Sequence, residues 1–155
     1  MTLSRTMVQS PVGSWCVEGD DNGITRIYLP HERQQASTGP VAAPVKNAAK
    51  QLEEYFAKKR THFDVDLHFD EGTSFQHEVW TALGEIPYGE VRTYADVATS
   101  INHPNAYRAV GNANAANPWP IVVPCHRVVA SSGMGGYAGG LDVKRALLEL
   151  EGVSL

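Results

Sequence analysis

The periodicity of the chain changes at residues 70–72, and no other feature constrains the fold as much. Phe63, Val65, Leu67 and Phe69 alternate with Asp64, Asp66, His68 and Asp70, the period of two expected of a half-buried strand whose acidic face is wet. The acidic, Gly-containing stretch Asp70-Glu71-Gly72 ends that pattern. Beyond it Thr73 and Gln76 form a capping-box signature, and Phe75, Val79 and Leu83 line one face of the helix that follows. The sequence therefore predicts a mixed α/β (α+β) chain of two domains, 1–72 strand-rich with one helix and 73–155 helical. With 155 residues, 43% of them hydrophobic, there is material for one ordinary core or two small ones.

Within the first part, Met7-Val8 and Trp15-Cys16-Val17 flank the turn Ser10-Pro11-Val12-Gly13. A second turn, Asp20-Asp21-Asn22-Gly23, precedes Ile24 to Leu29, and Asn-Gly is a strong hairpin signal. From Val45, the residues Ala48, Ala49, Leu52, Tyr55 and Phe56 recur at helical spacing, and Lys58-Lys59-Arg60 places positive charge at the expected helix end. In the second part Ile86-Pro87-Tyr88-Gly89 stops the first helix, and Thr93 with Asp96 starts another through Ile101. His103-Pro104 breaks it, and Asn105 is placed to cap a third running through Ala113. Helix, short turn, helix is the outline of a helix-turn-helix. The third helix offers one Arg among alanines, and by itself Arg108 reads as readily as half of a surface ion pair.

Two cysteines are too few for a disulfide framework, and no apolar run reaches the roughly 18–20 residues of a membrane span. Met1 to Ser10 lacks the apolar block of a secretory signal, so the expected location is the cytoplasm, where thiols stay reduced. Residues 1–72 carry 8 Lys/Arg against 10 Asp/Glu and residues 73–155 carry 5 against 7. Neither part shows the basic footprint typical of phosphate binding, so a nucleic-acid partner has to be argued from motifs.

The chemistry concentrates in Pro118-Trp119-Pro120-Ile121-Val122-Val123-Pro124-Cys125-His126-Arg127-Val128-Val129. An apolar run delivers a cysteine and a histidine side by side, and His126 and Arg127 offer electropositive surroundings that favour a thiolate. Cys16, in an expected strand without such neighbours, reads as inert packing. A Cys-His pair needs a third group to orient the imidazole, and Glu151, at the end of a terminal helix expected from Asp142, is the candidate. An anion there opposes the helix dipole unless a partner compensates it. The Gly-rich segment 131–140 lacks the Gly-Lys-Ser/Thr of a phosphate loop, and its glycines suit close backbone approach to a flat ligand.

Five landmarks stand in order: Arg108-Ala109-Val110-Gly111, Asn117-Pro118, Pro124-Cys125-His126-Arg127-Val128, Tyr137-Ala138-Gly139-Gly140 and Glu151-Gly152. With them the chain resembles the O6-alkylguanine-DNA alkyltransferase family, the methylated-DNA-protein-cysteine methyltransferases. The resemblance covers essentially all of residues 73–155, and the part before it is similar to the family's N-terminal domain in size and order.

The resemblance implies an RNase H-like first domain and a winged helix-turn-helix second domain. It implies direct-reversal repair: binding double-stranded DNA in the minor groove, flipping out O6-alkylguanine (and O4-alkylthymine), and transferring the alkyl group irreversibly to the protein's own cysteine. Cys125 would be the acceptor, His126 would take its proton through a water, Glu151 would orient His126, Tyr94 would protonate the leaving guanine, and Asn117 would brace the turn. Arg108 would enter the base stack. Ala106, Tyr107, Ala109, Pro120, Arg127, Val128, Tyr137 and Ala138 would contact DNA or the flipped base. No cofactor or metal is implied, and the protein is expected to be a monomer able to assemble on DNA.

Three rivals weigh less. Alkyltransferase-like proteins bind lesions without transfer, but commonly carry Trp where Cys125 stands. A cysteine hydrolase would need direct Cys-His geometry that adjacent residues do not easily reach, and a redox-sensing thiol would need a resolving cysteine nearby. Two departures from the family bear on the alkyl pocket. The interval from Cys125 to Tyr137 is one residue shorter than expected, and Met134 sits where polar or aliphatic residues are usual.

Overall fold

The structure, a computed structural model, describes residues 2–155; Met1, from which the first domain is counted, lies outside the described residues. The chain divides into two compact units, the first ending at Asp70 and the second Glu71–Leu155. A strand sheet in the first unit and helices in the second give the mixed α/β class that the change of periodicity predicts.

In the first unit β1 (Ser4–Ser10), β2 (Gly13–Asp20) and β3 (Gly23–Tyr28) form an antiparallel sheet in the order β1-β2-β3. Both turns expected from the sequence make the hairpins, with Ser10 opposite Gly13 and Asp20 opposite Gly23. Helix α1 (Ala43–Phe56) lies on all three strands and buries Val45, Ala48, Ala49, Leu52 and Tyr55. Apolar residues three and four apart occupy one side of a helix, so this stripe is the face that meets the sheet. Cys16 is buried in β2, and burial pushes its thiol up to about 11, which makes it packing material.

Two expectations fail here. Residues 63–69 do not form a strand, because they meet the sheet only at the Ile24–Leu67 bridge, through Ile24 N to Asp66 O at 2.8 Å and His68 N to Ile24 O at 2.9 Å. The backbone of Asp64 finds a side chain instead. The buried amide of Gln51 donates to Asp64 O and accepts from Asp64 N, both at 2.9 Å, replacing a ladder there with a side chain of α1. The basic run also lies beyond the helix: α1 ends at Phe56 without a basic last turn, Lys58 takes φ 60°, and Arg60 pairs with Glu54 at 3.0 Å.

In the second unit α2 (Ser74–Leu83) and α3 (Tyr94–Ser100) both open with the capping boxes read from the sequence. Each cap satisfies two orphan N–H groups reciprocally. Helix α4 (Tyr107–Ala115) packs on both of them through Val110 and Ala113. It starts one residue later than expected, and its N-cap is Ala106 rather than Asn105, with no side-chain cap. Two short strands, β4 (Arg92–Thr93) and β5 (Val128–Val129), pair in parallel, and α5 (Leu141–Leu150) closes the chain. No helix among the described residues is long and apolar enough to cross a membrane.

Candidate active site

Helix α5 carries the two charges around which the site is organised. Lys144, Leu147, Leu148 and Glu151 are all buried, and their spacing puts them in one stripe of the helix. Glu151 is the C-cap of α5, where the dipole disfavours an anion, and four N–H donors compensate it. Its Oε1 accepts from Arg127 Nε at 2.8 Å and Gly89 N at 3.1 Å. Its Oε2 accepts from His126 Nε2 at 2.6 Å and Arg127 Nη2 at 3.0 Å. Gly89, at φ 79°, presents its N–H from a backbone conformation that suits glycine.

This geometry corrects the reading of Arg127. It is turned inward: it is 6% exposed, stacks over the Tyr88 ring at 5.7 Å, and commits its donors to Glu151 and, at 2.7 Å, to Ile86 O. A bidentate fork onto a buried carboxylate is the geometry for which guanidinium is suited.

Cys125, His126 and Arg127 form a single 3-10 turn after the proline-rich run. Asn117 spans that run, donating Nδ2 to Val123 O at 2.7 Å and accepting from Trp119 N at 3.0 Å. Pro120 is buried in the turn and bridges to Val123. Ile121, 1% exposed, is forced to φ 75°. A β-branched residue there costs about 1–3 kcal/mol, which the surrounding packing must offset.

The Cys125 thiol is buried, and burial pushes it up; hydrogen bonds from Asn117 and Tyr137 and the charge of Lys144 act in the opposite direction. Its electropositive neighbour is therefore Lys144, not its sequence neighbour Arg127. His126 is fully buried and pushed down by burial, with Glu151 opposing and Arg127 and Lys144 adding to the shift. At rest this is a neutral thiol beside a neutral imidazole.

Lys144 is a site residue that the sequence reading missed, although its place among Leu147, Leu148 and Glu151 marked it as inward. Its ammonium donates to Val128 O at 2.6 Å, Met134 O at 2.5 Å and Gly136 O at 2.9 Å, pinning the Gly-rich loop to β5. Burial brings it down to about 8. Tyr94 meets the same loop, with its hydroxyl 3.3 Å from Gly136 N and 3.5 Å from Gly136 O. Gly135 takes φ 70°, and a Cβ there would fall 2.8 Å from the Tyr94 hydroxyl. Tyr137 is half-buried and Ala138 exposed, while the Val128 side chain is fully buried.

The outer face of α4 exposes Tyr107, Arg108 and Ala109, with Ala106 half-buried at its start. Arg108 lies over the Tyr107 ring at 6.0 Å, and among the described residues it has no carboxylate partner. The inner face carries a second missed residue, Asn114, 4% exposed, whose Nδ2 donates to Cys125 O at 3.3 Å.

Comparison with known proteins places this geometry. The model of "6-O-methylguanine DNA methyltransferase, DNA binding domain" matches residues 74–153, and that of "6-O-methylguanine DNA methyltransferase, ribonuclease-like domain" matches residues 3–69. The methylated-DNA–protein-cysteine methyltransferase of Methanosarcina barkeri is 46% identical over 150 residues, 94% of this chain and 94% of that protein. The protein of that name from Mycobacterium tuberculosis is 45% identical over 148 residues, 93% and 89% of the two chains. The crystal structure of Mycobacterium tuberculosis O6-methylguanine methyltransferase matches with TM-score 0.86 at 42% identity, covering 97% of this chain and 93% of that one. Mycobacterium tuberculosis OGT in complex with DNA matches with TM-score 0.85 at 43% identity, covering 96% and 92%. With both units matched and nearly half of the residues shared, the chain belongs to the methylated-DNA–protein-cysteine methyltransferase family.

Proposed function

We propose that this protein repairs O6-alkylguanine in double-stranded DNA by moving the alkyl group onto its own Cys125, once per molecule. The carrying observation is the buried set Cys125, His126 and Glu151, with His126 Nε2 held 2.6 Å from the carboxylate, in a chain of this family. A carboxylate only accepts hydrogen bonds, so Nε2 carries the imidazole hydrogen and Nδ1 is the free base.

The thiol gives its proton to His126 Nδ1 through a water, and the thiolate sulfur attacks the O6-alkyl carbon. The S–C bond forms as the C–O6 bond breaks. A soft alkyl carbon suits a thiolate. Glu151 holds the imidazolium, and Tyr94, presented over the loop, supplies the proton that the departing guanine needs. Asn117 and Lys144 hold the turn and the loop around the sulfur.

Helices α3 and α4 form the helix-turn-helix. Arg108, unpaired on the outer face of α4, enters the stack as the damaged nucleotide leaves, and its small neighbours Ala106 and Ala109 let the backbone approach the groove. Tyr107 flanks the same strand, while Pro120, Val128, Tyr137 and Ala138 shape the base pocket. The site of action is the cytoplasm, and the protein acts as a monomer that can assemble on DNA.

The test is intact-protein mass after incubation with a duplex carrying O6-methylguanine, followed by peptide mapping. One methyl group in place of a proton, confined to Cys125 and absent from Cys125→Ser, is expected. An unchanged mass despite lesion binding would leave a binding-only module.

A further inference from the structure

Two buried acceptors beside Cys125 have no hydrogen-bond partner: His126 Nδ1 and Asn114 Oδ1. His126 is fully buried and Asn114 4% exposed. Neither orientation is arbitrary. The Glu151 carboxylate fixes the imidazole tautomer, and the Cys125 carbonyl, an acceptor held at 3.3 Å, requires the nitrogen of the Asn114 amide and so fixes its oxygen at the other end. A buried acceptor left without a donor is costly, and such groups are rare in folded proteins.

The surrounding polar groups are already committed. Asn117 serves Val123, Trp119 and the Cys125 thiol, Tyr137 serves the same thiol, Lys144 serves three carbonyls, and Arg127 serves Glu151 and Ile86. One water has two hydrogens for two acceptors and a lone pair for an S–H donor. It makes three hydrogen bonds, the usual number for a buried water.

We propose that Asn114 is a positioning residue for the proton relay, holding with His126 the water that carries the proton away from Cys125. This rests on the reading of Cys125 as acceptor and His126 as base. The S–H proton passes to the water oxygen while the water passes one of its own to His126 Nδ1. Thiolate, imidazolium and an intact water result. The water's second hydrogen stays hydrogen-bonded to Asn114 Oδ1 throughout, so the water cannot rotate out of line. Asn114 touches neither the alkyl group nor the sulfur's electrons.

The test is single-turnover methyl transfer from an O6-methylguanine duplex by Asn114→Leu, which keeps much of the volume and removes both polar atoms, followed from pH 6 to pH 10. Loss of an oriented relay should slow transfer about tenfold or more at neutral pH, given the 10²–10⁴ typical of general acid–base catalysis. The deficit should shrink as pH rises and hydroxide ionises the thiol directly. Glu151, Arg127, Lys144, Tyr94 and Tyr137 are the other ionisable groups around the pair, and they are common to both proteins. An equal deficit at every pH would make Asn114 a packing residue, and no deficit at any pH would remove it from the site; either overturns the proposal. If the Leu variant does not fold, the proton inventory of the wild-type protein in H2O/D2O mixtures decides. A bowed plot means two protons move through a held water, and a straight one overturns the relay. Failure of the wild-type protein to take up methyl at all is separate, and counts against the underlying reading.

Discussion

Arg127 grips both oxygens of Glu151, Nε to Oε1 at 2.8 Å and Nη2 to Oε2 at 3.0 Å, and the same Oε2 holds His126. The guanidinium thereby balances the carboxylate. His126 is oriented by an anion without being charged by it, which is the state a base needs before it takes a proton.

Arg127→Met should leave Glu151 buried with its charge uncompensated. Removing one partner of a buried pair costs about 3–5 kcal/mol, to be read from urea unfolding of the unmodified protein. A loss under about 1 kcal/mol, the range of exposed pairs, would mean that the fork is marginal.

Stability should fall in mild acid. Burial holds His126 below its ordinary value of 6.5, so as pH drops past that value the unfolded chain binds a proton that the folded chain refuses. The unfolded state then holds more protons, and stability declines until the depressed folded value is passed. Urea midpoints between pH 7.5 and pH 5 should show the decline, and His126→Asn should remove its share. A midpoint as steep in the variant as in the wild type would assign the decline to other groups.

Gly135→Ala forces a Cβ to within 2.8 Å of the Tyr94 hydroxyl and 3.1 Å of Ala130 N, at φ 70°. We expect a stability loss of about 1–2 kcal/mol and a roughly tenfold slower transfer as Tyr94 is displaced. Gly133→Ala is the control, since nothing lies within 4 Å of its Cβ. Equal rates in the two variants would release Tyr94 from its role.

Affinity for DNA should depend only weakly on salt. Of the five Lys/Arg in residues 73–155, Arg127 and Lys144 are buried and Arg92 is tied to Glu90 at 3.0 Å, which leaves Arg108 and Arg145. At about −0.9 per neutralised phosphate, two such contacts put the log–log slope near about −2. Titrations between 50 and 200 mM salt check this, and a slope near that of a protein with many phosphate contacts would contradict it.

Arg108→Ala should slow repair in duplex DNA far more than reaction with a free O6-alkylguanine base, because only the duplex has a stack to enter. A loss of the same size on both substrates would show that Arg108 supports α4 instead.

Local signals proved legible where their physics is local. Thr73 with Gln76 and Thr93 with Asp96 start helices because a cap is settled within four residues. Cys125, His126 and Glu151 were legible as a motif, but their surroundings were not. Arg127 stands two positions from Cys125 in sequence yet turns to Glu151, and the charge near the thiol comes from Lys144, nineteen positions on. Residues 63–69 alternate as a strand should, and the amides of Asn47 and Gln51, from a different element, take the place of the ladder at Asp64. Alternation records which side chains are wet, not what the backbone binds.

Seven positions separate Lys144 from Glu151, two turns of α5, and one stripe therefore serves both the loop and the base. Each inserted residue would rotate everything beyond it by about 100°, swinging one of the two charges out into solvent. The helix thus works as a ruler with fixed graduations, whereas residues 131–140 are a slack thread between anchor points. Length changes in a lineage of such proteins should collect in the thread and spare the ruler.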